Sequence, residues 1–155
     1  MTRIPGSNRG RSGAALRSTG RNDEHYTPAA LFEQLGVTFA LDVAAPPGGV
    51  PWIPAARSFT RDVDGLAQEW AGNVWMNPPF SKPGPWVERF LAHRDGTALL
   101  PTSKGRWFEV LWASEAALGF PGVWLSNAFG IYMPTFLAAL GEVHVEAIAR
   151  CGPVR

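Results

Sequence analysis

The sequence predicts an α/β fold with a mostly parallel, twisted sheet and helices on both faces. Short apolar segments alternate along the chain with amphipathic segments of about ten residues, which is the pattern of strands and helices in layered α/β folds. The apolar segments show no polar alternation, as expected of parallel strands that are covered on both faces. The length of 155 residues accommodates one domain, with or without a tail.

The first helix is expected to begin at Thr27-Pro28, with Thr27 as its cap and Pro28 in its first turn, and to end at Gly36. Its inner face would consist of Leu31, Phe32 and Leu35. The Pro-rich segment 44–58, which contains Trp52, is interpreted as a loop, in which Trp52 either stacks on a base or packs as a lid. A short helical turn is expected to begin at Asp64-Gly65.

The remaining apolar segments give the other strands and helices. The strands are predicted at 39–43, 73–76, 97–100, 122–125 and 135–140. The helices are predicted at 85–93, 106–117 and 142–150, although Val143 and Val145 would also suit a strand. The inner faces of the first two would be Trp86, Val87 and Phe90, and Trp107, Val110 and Leu111.

The charges are unevenly distributed, although the formal net charge is only +1. Residues 1–22 contain five arginines and no acid, so this segment carries +5 and the remainder −4. Its Gly, Ser and Arg content predicts a disordered arm ahead of a folded domain over 23–155. The arm either contacts the phosphates of a nucleic acid or serves only as a solubilising tail.

The composition also argues against several classes of protein. The sequence contains no run of about 18 apolar residues, so no membrane span is predicted. The absence of an apolar leader predicts a cytoplasmic protein. Cys151 is the single cysteine, which excludes an internal disulfide and a multi-cysteine zinc site. The three histidines have no partners at metal-ligand spacing, so no metal site is expected.

Polar residues lie at or just after the carboxyl ends of the predicted strands, where ligands bind in parallel sheets. They are Asp42, Asn77, Thr102-Ser103 and Ser126-Asn127. Asn77 begins the unusual tetrapeptide Asn77-Pro78-Pro79-Phe80. The prolines stiffen the loop and leave their carbonyls free to accept hydrogen bonds. The sequence alone also allows a simpler interpretation, in which the prolines end the strand and Phe80 fills the core.

The tetrapeptide suits an amine attached to a planar ring. The side-chain oxygen of Asn77 and the carbonyl of Pro78 could accept both N–H groups of the amine, while Phe80 stacks on the ring. Such an amine is a poor nucleophile because its lone pair is delocalised into the ring. Two rigid acceptors stabilise the positive charge that develops on nitrogen during attack, so no catalytic base of matched pKa is required.

Four sequence blocks, in order, resemble the small phage-type DNA N6-adenine methyltransferases over about Asp23 to Pro101. They are 23–28 (DEHYTP), 41–46 (LDVAAP), 59–66 (FTRDVDGL) and 74–80 (VWMNPPF). The resemblance implies a shortened Rossmann-like methyltransferase core, S-adenosylmethionine as methyl donor, and a flipped adenine in DNA as acceptor. It places the catalytic residues at Asn77, Pro78, Pro79 and Phe80. It places cofactor contacts at Thr27, Pro28, Asp42, Ala44, Asp62 and Asp64, although an isolated aspartate can equally be a helix cap or a solvated turn.

Basic residues in the arm and after the strands are candidates for DNA contacts, or are merely solvated. The basic candidates, together with Ser81 beside Lys82, are Arg17, Arg21, Lys82, Lys104 and Arg106. The sequence departs from the family at Phe80, where tyrosine is more frequent, and at the cofactor loop Pro46-Pro47-Gly48-Gly49. Few residues follow Pro101, so target recognition is expected from loops, from the arm, or from a second subunit, including a homodimer partner.

Three alternatives follow from these observations. The first is an adenine methyltransferase, which by resemblance to phage enzymes could protect DNA from restriction. The second is a methyltransferase for another planar amine or amide, namely cytosine N4, RNA adenine or a protein glutamine. The third is a DNA-binding relic of the fold without activity, which the altered cofactor loop motivates.

Overall fold

The computed structural model describes residues 27–121, 124–126 and 132–155, which are built around one sheet. The strands are β1 (Phe39–Asp42), β2 (Ala55–Ser58), β3 (Val74–Met76), β4 (Gly96–Pro101), β5 (Ala117–Gly119), β6 (Trp124–Ser126) and β7 (Tyr132–Leu140). The helices are α1 (Ala29–Leu35), α2 (Gly84–His93), α3 (Arg106–Trp112) and α4 (Glu142–Ala149). Two 3₁₀ turns, Arg61–Val63 and Gly65–Ala67, lie between β2 and β3.

The sheet has the strand order β2-β1-β3-β4-β7-β5, and β6 pairs with the start of β7. The strands β2, β1, β3 and β4 are parallel to one another, whereas β7 is antiparallel to β4, β5 and β6. Among the described strands only β7 is therefore reversed. The carboxyl ends of β1, β3 and β4 lie at one edge of the sheet, and the predicted α/β class is confirmed.

Two apolar layers cover the two faces of the sheet, as the sequence predicted. Helices α2 and α3 pack Phe90 and Leu111 into one layer. Helices α1 and α4 pack Leu31 and Ile148 into the other. In the described part of the chain, no helix has the length and apolar character needed to cross a bilayer.

Helix α1 confirms the predicted inner face and the predicted end, but not the predicted cap. Its buried residues are Leu31, Phe32 and Leu35. It ends at Gly36, whose φ of +63° is readily adopted only by glycine. Pro28 occupies the N-cap position without a side-chain hydrogen bond, so Pro28 lies before the first turn. Thr27 does not cap the helix, because its hydroxyl lies inward beside Asn77.

Two strands lie where the sequence predicted other structure. Residues 55–58, at the end of the predicted loop, form β2, an edge strand of mostly exposed residues that carries no apolar signal. Helix α3 ends at Trp112 rather than at 117, because the chain turns at Ser114 and continues into β5. Val110, which was predicted to face inward, is 41% exposed.

The other predicted elements lie close to their expected positions. The ambiguous C-terminal segment forms the strand β7 followed by the helix α4, as favoured from the sequence. The predicted strand at 122–125 overlaps β6, and its residues 122–123 lie outside the described part of the chain.

Two neighbouring substitutions in α3 test this packing. Leu111→Ala removes a fully buried side chain and should lower the free energy of unfolding by about 2–5 kcal/mol. Val110→Ala on the exposed side should change it by less than about 0.5 kcal/mol. Urea unfolding monitored by circular dichroism measures both. Similar losses for the two variants would contradict the observed orientation of α3.

Candidate active site

Two polar residues meet at the carboxyl edge of the parallel strands. Asp42 is the last residue of β1, and Asn77 directly follows β3. Because β1 and β3 are parallel neighbours with Asp42 opposite Trp75, the two polar residues are brought to the same edge. Both line a cavity of about 330 Å³, at the lower end of the range for small-molecule sites. The predicted convergence of Asp42 and Asn77 is therefore found in the structure.

The cavity has apolar walls around this polar pair. The walls include Val50 and Ile53 from the loop after β1, Phe59 after β2, and Trp86 from the first turn of α2. A planar aromatic ligand can bury both faces against such walls.

Thr27 connects three segments around the cavity. Its hydroxyl accepts a hydrogen bond from Asn77 Nδ2 at 3.4 Å, and its carbonyl accepts one from Trp52 Nε1 at 2.7 Å. The first contact places the nitrogen of the Asn77 amide toward Thr27. The second ties the long loop after β1 to the start of α1. Trp52 thus anchors this loop while 47% of its surface is exposed.

Asp42 is a buried carboxyl group in this cavity. Only 3% of the residue is exposed, and Oδ1 accepts a hydrogen bond from the Ala44 N–H at 3.2 Å. Burial raises the pKa of the Asp42 carboxyl to about 7, and the Ala44 hydrogen bond opposes part of this rise. Near neutral pH the group is therefore balanced between its two forms, and a cation in the cavity would favour the carboxylate.

The turn at Asp64-Gly65 closes one side of the cavity. Asp64 has a φ of +50°, and its side chain accepts a hydrogen bond from the Leu66 N–H at 3.2 Å. Gly65 lies against the Val43 carbonyl oxygen, where a Cβ would overlap that oxygen. The Trp70 indole donates to the Gly65 carbonyl at 2.8 Å. Asp64 thus stabilises a turn and also presents an exposed carboxylate to the cavity.

The structure brings together some of the predicted site residues and separates others. Those that line the cavity are Thr27, Asp42, Ala44, Asp64, Asn77 and Pro79. Four others lie outside its lining, namely Pro28, Asp62, Pro78 and Phe80. Phe80 is partly buried and packs against the layer formed by α1 and α4, so its stacking on a base stays a prediction.

The candidate DNA contacts lie mostly at the same edge of the sheet. Ser81 and Lys82 follow the loop 77–80, and Lys104 and Arg106 follow β4; all four are exposed. Thr102-Ser103, also after β4, does not line the cavity. Arg17, Arg21 and Asn127 lie outside the described residues.

Several cavity residues were not predicted as site residues from the sequence. They include Arg61, Trp75 and Trp86. Arg61 stands beside the predicted Asp62 and Asp64, so its position in that block was an available signal. Trp75 and Trp86 were assigned to a strand and to the inner face of a helix, and nothing in the apolar pattern distinguishes a cavity wall from a core.

The buried Asp42 carboxyl predicts a pH-dependent stability. Its pKa is about 7 in the folded protein, against an ordinary value of 3.8 in the unfolded chain. Between these values the folded protein holds a proton that the unfolded chain has lost, so this group lowers stability as pH rises. The difference in Tm between Asp42→Asn and the wild type should therefore increase in favour of the variant from about pH 4 to about pH 7. Above about pH 7 this difference should stay constant. Thermal unfolding across this range measures it, and a difference that does not change with pH would contradict the prediction.

Comparison with known proteins identifies a family for the segment that contains the cavity. The family model of DNA N-6-adenine-methyltransferase (Dam) matches residues 16–110, which is more than half of the chain and includes every residue that lines the cavity. Searches of curated proteins and of solved structures found no match. By this match, the chain belongs to the DNA N-6-adenine-methyltransferase (Dam) family.

Proposed function

We propose that this protein transfers a methyl group from S-adenosylmethionine to the exocyclic amine of an adenine flipped out of DNA. The observation that carries the proposal is the shared cavity of Asp42 and Asn77 at the carboxyl edge of β1 and β3. This arrangement lies within the segment that matches the family.

The cavity has the chemical groups needed for the methyl donor. S-adenosylmethionine, when bound, supplies an electrophilic methyl group on a sulfonium centre. The buried Asp42 carboxyl can pair with the donor's ammonium group. Phe59 and Trp86 offer apolar surface for its adenine ring, and the exposed carboxylate of Asp64 can accept from hydroxyl groups.

Asn77 is proposed to hold the target amine. Its amide nitrogen donates to Thr27, and the amide oxygen would be the acceptor for the amine. Together with the Pro78 carbonyl, this oxygen would accept the two N–H groups of the adenine and stabilise the charge that develops on nitrogen. As the nitrogen–carbon bond forms, the carbon–sulfur bond of the donor would break and release S-adenosylhomocysteine. The amine proton becomes acidic only at that stage and would be lost to solvent.

DNA is proposed to approach the carboxyl edge of the sheet. Lys82 and Lys104 are exposed in loops at this edge, one after β3 and the other after β4. Such side chains would contact backbone phosphates, and Arg17 and Arg21 of the arm would add to them. Extrusion of the base costs a few kcal/mol, which stacking and hydrogen bonds in the pocket would offset.

Replacement of Asn77 tests the proposed chemistry. Asn77→Ala should lower the rate of N6-methyladenine formation about 10²–10³-fold, the usual cost of removing one preorganised group at a developing charge. The assay incubates protein, labelled S-adenosylmethionine and DNA of varied sequence, then digests the DNA to nucleosides. Gln34→Ala, at an exposed position of α1 outside the cavity lining, is a matched amide control that should retain wild-type activity.

Two outcomes would contradict this proposal. Full activity of Asn77→Ala would remove the role assigned to Asn77. Absence of N6-methyladenine from the wild type on all DNA would remove the reaction. Parallel incubations with RNA, with protein and with analysis for N4-methylcytosine would then show whether another planar amine is the acceptor.

Donor binding should depend on pH through Asp42. The ammonium group needs the carboxylate form, whose fraction falls about tenfold per pH unit below the pKa of about 7. The affinity for S-adenosylhomocysteine, which keeps the amino-acid end, should therefore fall as pH decreases from 7 to 5. Asp42→Asn should bind more weakly at pH 8 and lose this dependence. Calorimetry measures both proteins, and equal pH profiles would contradict the pairing.

A further inference from the structure

Trp75 carries a buried polar group without a partner. The residue is fully buried on β3, and its indole nitrogen Nε1 has no hydrogen-bond partner among the described residues. A buried N–H that lacks an acceptor is costly, and buried polar groups in folded proteins are nearly always paired. Trp75 is one of the residues that line the cavity, so a ligand bound there is the candidate for the missing acceptor.

Asp42 and Trp75 are neighbours on the same face of the sheet. They are opposite each other in the parallel pairing of β1 and β3. The preceding pair, Leu41 and Val74, packs into the layer of α2 and α3, so Asp42 and Trp75 lie on the other face. Even so, the indole does not donate to the adjacent carboxyl group.

The indole is held firmly in place. The ring of Phe32 meets it edge-on with centroids 4.7 Å apart, and the ring of Phe39 packs against it at 5.7 Å. These two ring contacts restrict the orientation of the indole, and with it the direction of the Nε1–H bond, before any ligand binds. A preorganised donor of this kind improves affinity, because little freedom is lost on binding.

The two groups together describe the chemistry of the missing partner. A carboxylate attracts a cation, and an N–H group requires an acceptor. A zwitterionic amino-acid group has an ammonium and a carboxylate separated by one carbon atom. The ammonium can pair with the Asp42 carboxylate, and the carboxylate can accept from the Trp75 indole N–H. A simple nucleoside has no such pair.

We infer that the Trp75 indole N–H donates a hydrogen bond to the carboxylate of the methyl donor's amino-acid end, while Asp42 pairs with its ammonium group. This inference rests on the proposed function, since it assigns one end of S-adenosylmethionine to this corner of the cavity. Trp75 thereby becomes a ligand-binding residue in addition to its packing role.

Two ligands and one substitution test it. Trp75→Phe keeps the aromatic packing and removes the N–H. S-adenosylhomocysteine has the amino-acid end, whereas 5′-methylthioadenosine has the same nucleoside and sulfur without it. By calorimetry at pH 8, Trp75→Phe should bind S-adenosylhomocysteine about tenfold or more weakly, as expected for a hydrogen bond to a charged group. It should bind 5′-methylthioadenosine as the wild type does.

The outcomes separate this inference from the proposed function. Unchanged binding of S-adenosylhomocysteine by Trp75→Phe, or equal weakening of both ligands, would overturn the inference alone. A wild type that binds neither ligand would overturn the proposed function and the inference with it. Trp112→Phe is a matched control, because Trp112 is 45% exposed on α3 and outside the cavity lining, and it should bind both ligands normally.

A measurement on the wild type covers the case in which Trp75→Phe does not fold. In a ¹⁵N-labelled protein, the Trp75 indole proton should move downfield when S-adenosylhomocysteine binds and should move much less with 5′-methylthioadenosine. The same shift with both ligands would overturn the inference.

Discussion

The start of β1 is fixed by Asn73, and the geometry of the site depends on this contact. Asn73 Oδ1 accepts from the Ala40 N–H, and Asn73 Nδ2 donates to the Thr38 carbonyl, each at 2.8 Å. The Asn73 carbonyl accepts from both Ala40 and Leu41, which is the hydrogen-bond pattern of a bulge. The bulge allows Phe39 and Leu41 to pack on opposite faces of the sheet, although an unbroken strand would direct both to the same face. As a result Asp42 lies beside Trp75 instead of in the layer of α2 and α3.

The sequence predicted the parts of the molecule that have a local signal. The apolar segments predicted β1, β3 and β4, and Gly36 predicted the end of α1. The polar residues at the strand ends predicted the positions of Asp42 and Asn77 in the cavity. These succeed because buried parallel strands are uniformly apolar and because their carboxyl ends must meet at one edge.

The remaining features depend on contacts between distant segments, which periodicity does not report. The edge strand β2 is held by backbone pairing to β1, and its mostly exposed side chains give no pattern. Thr27 was expected as a helix cap, yet its hydroxyl serves Asn77, which is 50 residues away in the chain. The sequence likewise treats Trp75 as core, since an aromatic residue in a strand is ordinarily a packing residue. Only the unpaired indole nitrogen, on the residue that pairs with Asp42 between β1 and β3, distinguishes it.

Without a ligand, the corner of the cavity formed by Asp42 and Trp75 lowers the stability of the fold. It buries a carboxyl group whose pKa has risen to about 7, and beside it an indole N–H without an acceptor. Two apolar residues at these positions would avoid both desolvation penalties and would make the fold more stable. Polar groups that lower stability in this way are typical of functional sites. A ligand that supplies a cation to one group and an acceptor to the other removes both penalties at once. Binding of such a ligand would stabilise the fold through the linkage between ligand concentration and affinity. Under the proposed function, the amino-acid end of the donor would fill this corner between β1 and β3.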